Sequence, residues 1–149
     1  MPQIKLKIIT PERVVFEELV DQVVLPTTEG EITILPEHIP LVSMLGSGDV
    51  VARANNEDIP FALVGGFVEV NRGTTPDAIT EISVLADFAE HVTSLTETEI
   101  EKAKARAEEL QKQKDNKEVV DFEHFASELA RSLTRAKIGD KWRNKKYRM

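Results

Sequence analysis

From Gln3 to about Val92 the chain alternates apolar with polar residues, the spacing of half-buried strands. Ile4, Leu6 and Ile8 alternate with Lys5 and Lys7, and Thr10-Pro11-Glu12 then turns the chain. Further strands are predicted at Val14-Val15-Phe16, at Gln22 to Leu25 (stopped by Pro26), and at Ile32 to Leu35 after the turn Glu29-Gly30-Glu31. Leu41 to Leu45, Asp49 to Ala54, Ile59 to Val64, Phe67 to Val70 and Ile79 to Leu85 complete the set, with Asn55-Asn56 as a tight turn. Turn signals this regular predict an antiparallel β-sandwich or flattened barrel.

After Leu95 the apolar spacing becomes three and four, the mark of helices. Thr96 with Glu99 makes a capping box, and Leu95 with Ile100 a hydrophobic staple. The inner stripe of this first helix is Ile100, Ala103, Ala107 and Leu110, and the polar run Gln111 to Lys117 reads as a loop or frayed end. Asp121 is the expected cap of a second helix whose stripe is Phe122, Phe125, Ala126, Leu129, Leu133 and Ala136, with Gly139 ending or kinking it. The expected architecture is therefore mainly β plus α: residues 1–92 an N-terminal antiparallel β-sandwich, residues 93–149 a C-terminal two-helix antiparallel hairpin. An alanine-lined seam binds weakly, at about 0.8 kcal/mol per buried methylene-sized group. Two states of the hairpin remain open, docked on the sandwich or detached and extended.

Composition narrows the classes. Hydrophobic residues at 41% and charged residues at 30% of 149 fit a folded domain. No apolar run approaches the roughly 18–20 residues of a membrane span, and the N-terminus lacks the apolar block of a signal peptide. The absence of cysteine removes disulfides, thiolate chemistry and cysteine-based zinc sites. A cytoplasmic address is expected. The net charge of -7 conceals a basic end: Arg131, Arg135, Lys137, Lys141, Arg143, Lys145, Lys146 and Arg148 stand against Asp140 alone. A one-signed terminal block points to an acidic partner, with a solubilising tail as the plainer alternative.

Catalytic chemistry is poorly represented. His38, His91 and His124 form no metal-binding helical pair, and His38, between Pro36 and Pro40, fits a structural hydrogen bond better than catalysis. No serine sits in a Gly-x-Ser-x-Gly elbow. Gly46-Ser47-Gly48 reads as a turn because no Gly-Lys-Ser/Thr follows, and Gly65-Gly66 reads as a close backbone approach or bulge. No catalytic, cofactor or metal site is expected. Trp142 and Tyr147 among basic residues would suit base stacking or burial at a protein interface, and a β-sandwich adaptor binding nucleic acid through its tail is the alternative reading.

Several ordered segments resemble the epsilon subunit of the bacterial rotary F-type ATP synthase across essentially the whole chain. They are Glu29-Gly30-Glu31 leading into Ile34-Leu35-Pro36-x-His38-x-Pro40-Leu41, then Gly65-Gly66-Phe67-x-Glu69-Val70, Ile82-x-Val84-Leu85-Ala86-Asp87, and Ala107-Glu108-Glu109. The resemblance implies a non-catalytic central-stalk subunit that couples the rotor of a proton-translocating synthase to its membrane ring. It implies a peripheral place on the cytoplasmic face of the cell membrane, without insertion, and no nucleic-acid partner. The implied partners are the gamma subunit, the c-ring, and the catalytic beta subunit, whose acidic loop would meet the extended hairpin and so restrain ATP hydrolysis. The implied interaction residues are Glu31, Leu35, Pro36, His38 and Pro40 in the sandwich, and Arg131, Arg135, Lys137, Lys141 and Arg143 in the hairpin. Some members bind ATP through an Ile/Leu-Asp-x-x-Arg-Ala motif. Here Leu95-Thr96-Glu97-Thr98-Glu99-Ile100 puts Thr, Glu and Ile at its Asp, Arg and Ala, so no such ATP site is expected. Arg72 to Ala78 reads as an extended loop with no assigned role.

Overall fold

The computed structural model describes residues 2–73, 75, 78–114, 122–143, 145 and 147. Its strands are β1 (Ile4–Ile9), β2 (Val14–Val20), β3 (Gln22–Thr27), β4 (Gly30–Ile34), β5 (Leu41–Leu45), β6 (Gly48–Ala54), β7 (Glu57–Asn71) and β8 (Thr80–His91). After a short 3-10 turn at Val92–Ser94 come α1 (Glu97–Lys114) and α2 (Phe122–Trp142). The strands form the expected sandwich, antiparallel except where β1 pairs parallel to β8, Ile4 opposite Thr80 through Ile9 opposite Leu85. Pro26 does not stop its strand: β3 runs on to Thr27, with Pro26 opposite Glu31 of β4.

Two short expected strands, Ile59 to Val64 and Phe67 to Val70, are one long strand, and this organises both layers. β7 pairs β8 along its length, while its other edge takes β6 over Glu57–Leu63 and β5 over Gly66–Val70. Inward residues on β7 are Ile59, Phe61 and Leu63 before Gly65-Gly66, but Val68 and Val70 after it. β8 changes parity in step, from Ile82, Val84 and Ala86 to Ala89, and the register stays unbroken (Val64 opposite Phe88, Gly66 opposite Ala86). The two-stranded ribbon therefore turns over as a unit and passes from one layer to the other. The glycine pair permits this. Gly65 has φ 61° and Gly66 φ 120°, and a Cβ on Gly66 would meet the Leu85 carbonyl oxygen at 2.0 Å. The expected close backbone approach is present.

The main core lies between the layers and draws on all eight strands, from Ile4, Leu6 and Ile8 through Phe61 to Val84 and Ala89. A second, smaller cluster of Ala62, Val92, Leu95, Ile100, Ile138 and Trp142 joins the helices to the sandwich. The hairpin is thus docked, with α2 against β6 and β7.

Both helices depart from expectation at their ends. α1 begins as its sequence directs, Thr96 Oγ1 accepting the Glu99 N–H at 3.2 Å, and Leu95 and Ile100 meet in the small core. It then continues to Lys114, since nothing from Gln111 to Lys114 breaks a helix. Asp121, the expected cap of α2, lies outside the described residues, as does much of the loop Arg72 to Ala78. Gly139 does not end α2, which runs on to Trp142. Its missing Cβ has another use: a methyl there would sit 2.5 Å from Ile100 Cγ1, so the glycine lets α2 close onto α1.

Candidate interaction surfaces

The expected stripe of α2 is only partly right. Phe125 and Ala136 are buried, but Ala126 and Leu133 are exposed. The helix presents two inward faces. Phe125, Leu129, Ser132, Ala136 and Gly139, spaced by four and three, share one face, and at its end Gly139 meets Ile100 of α1. Arg131, Arg135, Ile138 and Trp142, at intervals of four, three and four, face the sandwich. The charged Arg131 and Arg135 on it hid that face from a search for apolar periodicity.

The basic residues are one-signed only along the chain. Folding sets Arg135, Lys141 and Arg143 opposite carboxylates, because acidic residues from the middle of the sequence lie on the surface that α2 covers, while Lys146 and Arg148 lie outside the described residues. Arg135 donates Nε to Glu90 at 2.8 Å and Nη2 to Glu90 and Glu99 at 3.2 and 3.3 Å. Burial pulls the Arg135 pKa down, but the hydrogen bonds and charges of Glu90 and then Glu99 outweigh it and hold the guanidinium above its usual range. Lys141 Nζ and Trp142 Nε1 both donate to Asp49 Oδ2 at 2.8 Å. Arg143 lies 3.6 Å from Glu101 and 3.8 Å from Asp140. Arg131 rests over the Phe88 ring, 5.2 Å from its centroid. Lys137 is exposed beside Ser47 and Gly48. Trp142 and Tyr147, read as suited either to base stacking or to burial at a protein interface, meet edge to face at 5.9 Å, and Trp142 is buried.

The sandwich residues expected to interact lie apart from the hairpin cations. Glu31 is exposed on β4, and Leu35 to Pro40 form the loop between β4 and β5. The loop is anchored. His38 N–H donates to the Leu35 carbonyl at 3.1 Å, and Glu37 N–H donates to Thr80 Oγ1 at 2.8 Å, where Thr80 is buried. Glu37 takes φ 69°, a conformation a non-glycine residue holds only when its surroundings fix it. His38 Nδ1 lies 2.7 Å from the Ile39 carbonyl oxygen; that oxygen can only accept, so the ring proton sits on Nδ1. The histidine thus has the structural bond expected of it. Pro36 and His38 are half-buried, while Leu35 and Ile39 stand 53% and 67% exposed. Pro40 is exposed beside them.

A further surface was not anticipated. Met44 on β5 is opposite Phe67 on β7, Phe67 opposite Leu85 on β8, Leu85 opposite Ile9 on β1, and Ile9 opposite Val14 on β2. All but the half-buried Ile9 are about half exposed. Five adjacent strands thus carry one apolar row on the outer face of their layer. Outward apolar residues on single strands look incidental in sequence; only the register aligns them. Among the described residues no group of three histidine or carboxylate side chains could hold a metal ion.

A β-sandwich with an anchored loop, an outward apolar row and a docked hairpin defines an interaction subunit. The family described as "ATP synthase, Delta/Epsilon chain, beta-sandwich domain" matches residues 3–92. Over 142 residues the chain is 37% identical to the ATP synthase epsilon chain of Herpetosiphon aurantiacus, covering 95% of this chain and 98% of that one. Over 143 residues it is 39% identical to the ATP synthase epsilon chain of Dehalococcoides mccartyi, covering 96% of each. It also shares its fold with a chain in the cryo-EM structure of the Euglena gracilis mitochondrial ATP synthase, at TM-score 0.66 and 18% identity, covering 96% of this chain and 81% of that one. The chain belongs to the ATP synthase epsilon chain family, whose members are a non-catalytic subunit of the complex.

Proposed function

We propose that this protein is a central-stalk subunit coupling the rotor of a proton-translocating F-type ATP synthase to its membrane ring, and that its hairpin opposes ATP hydrolysis. The single observation that carries the coupling reading is the five-strand apolar row Met44–Phe67–Leu85–Ile9–Val14. Each of its half-exposed side chains gains on the order of 1 kcal/mol when fully covered, so the row suits a lasting partner better than a passing one. The gamma subunit is the occupant we assign to it. The anchored loop Leu35 to Pro40, with Glu31, offers two protruding apolar side chains and a carboxylate to the c-ring. The protein sits peripherally on the cytoplasmic face of the membrane in this reading, and none of its described helices is long and apolar enough to cross it.

The brake rests on the cations of α2. Docked, most of them face carboxylates of the same chain; extended, Arg131, Arg135, Lys137, Lys141 and Arg143 would be free to meet an acidic loop of the catalytic beta subunit. The departure from the ATP-binding motif at Thr96, Glu99 and Ile100 leaves no ATP site of that kind to hold the docked state. The test is ATP hydrolysis by an epsilon-depleted catalytic head with its gamma subunit, titrated with the full chain and with residues 1–92. We expect saturable inhibition by the full chain, and binding without inhibition by the fragment. Absence of binding by either overturns the coupling assignment, and equal inhibition by both overturns the hairpin's role.

A further inference from the structure

Two carboxylates of the sandwich reach α2 two turns apart. Glu90, near the end of β8, grips Arg135 with both oxygens, and its side chain is only 16% exposed. Asp49, on β6, has a side chain 10% exposed and takes both the Lys141 ammonium and the Trp142 indole N–H on one oxygen. Arg135 and Trp142 are seven residues apart, so both project from the same face. Ile138, between them, fills the small core with Ala62 and Val92. Glu99 of α1 closes the arrangement by sharing Arg135, so one guanidinium joins β8, α1 and α2. The apolar contact under the helix is small, and charge-assisted bonds to shielded carboxylates are the stronger class.

We propose that Asp49, Glu90 and Glu99 form a built-in anionic latch that holds the hairpin on the sandwich without any ligand, by occupying the cations that extension would expose. The proposal rests on the reading of the hairpin as a movable brake, whose regulation it specifies. A latch of this design has a definite competitor. An acidic surface of the partner can capture α2 only by displacing three internal carboxylates from Arg135, Lys141 and Trp142. Release is then an exchange of one set of carboxylates for another, favoured when the partner surface is close and therefore at high effective concentration. Glu99, at the position of the ATP motif's arginine, instead places a negative charge against Arg135, so the latch needs no nucleotide to close.

Trp142 is the sole tryptophan of the chain and is 5% exposed, so its emission reports docking directly. The test uses the full chain with Asp49→Asn and Glu90→Gln combined, which removes two charges while keeping side-chain size. We expect red-shifted Trp142 emission, at least tenfold easier acrylamide quenching, and a larger radius of gyration by small-angle X-ray scattering. The far-ultraviolet spectrum of the sandwich should stay unchanged. Glu101→Gln, which removes an exposed partner of Arg143, is the control and should leave all three readings as in the parent. The proposal is overturned if the double variant quenches and scatters like the parent, or if the control opens the hairpin equally. These readings need no synthase. Release in the isolated chain with no effect on hydrolysis would uphold the latch and count against the brake alone.

Discussion

At Gly66 φ is 120° and an added Cβ would come within 2.0 Å of the Leu85 carbonyl oxygen, whereas Gly30 has nearly the same φ, 123°, with open space around it. The pair separates two effects that a glycine substitution usually mixes. Alanine at either position meets backbone strain of about 1–3 kcal/mol. At Gly66 it also collides with backbone that cannot swing away, which raises the total by a further 2 kcal/mol or so. Urea unfolding followed by circular dichroism should rank Gly66→Ala clearly below Gly30→Ala. Equal losses would mean that the ribbon can slide at its corner. The need for glycine at Gly65-Gly66 was legible in sequence, since adjacent glycines between apolar runs have few other uses. Glu37 was not: its φ of 69° is set by the bond to Thr80, forty-three residues away, and no residue type announces it.

The elements were legible where apolar spacing alone decided them. The stripe of α1, Ile100, Ala103, Ala107 and Leu110, is buried throughout. α2 was half legible because one of its inward faces is polar and is satisfied by carboxylates on another element, a pairing without periodicity. Gly139 shows the same limit, since a helix-breaking residue becomes a contact once its partner is known. Alanine there would gain about 1 kcal/mol in helix propensity but overpack Ile100 at a cost of about 1–3 kcal/mol. We expect Gly139→Ala to loosen the hairpin, lowering the denaturant midpoint of Trp142 burial while the sandwich transition stays in place. A raised midpoint would show that the seam has slack. Acid should loosen the same seam. Glu128 bonds Arg106 of α1 at 2.6 Å, and this hydrogen bond holds its carboxyl below the ordinary 4.5. A lowered folded-state pKa contributes stability that is present above the unfolded value and is lost as pH falls through the folded one. Loosening of the α1–α2 seam should therefore rise below about pH 4.5, and Glu128→Gln should weaken that dependence, as read by the helical far-ultraviolet signal against pH.

At the scale of the whole molecule, two stretches of one ribbon present separate surfaces. Where β7 lies in one layer, Ala62 faces the small core under the hairpin; past the Gly65-Gly66 corner, Phe67 stands in the outward apolar row. Sequence could assign neither, because both residues sit in one apolar run and the reversal of parity between them is invisible without the register. Whether the hairpin rests docked was equally hidden, since Asp49 lies ninety-two and ninety-three positions from the Lys141 and Trp142 it holds. The separation makes a paired prediction. Phe67→Glu places a charge on a side chain already 51% exposed, so it should change stability by no more than about 0.5 kcal/mol. It should leave Trp142 emission untouched and weaken binding to the gamma subunit at least tenfold, because the charge sits mid-row between Met44 and Leu85. Ala62→Glu should do the reverse: the new carboxylate has no room beneath Ile138 and Trp142, so the hairpin lifts and emission shifts to the red, while gamma binding through the row persists. Binding measured by titration calorimetry, beside emission from the same two variants, would show whether the faces are independent. If Phe67→Glu also freed Trp142, or Ala62→Glu also abolished binding, the two layers would be acting as one surface, and coupling and braking could not be assigned to separate parts of the chain.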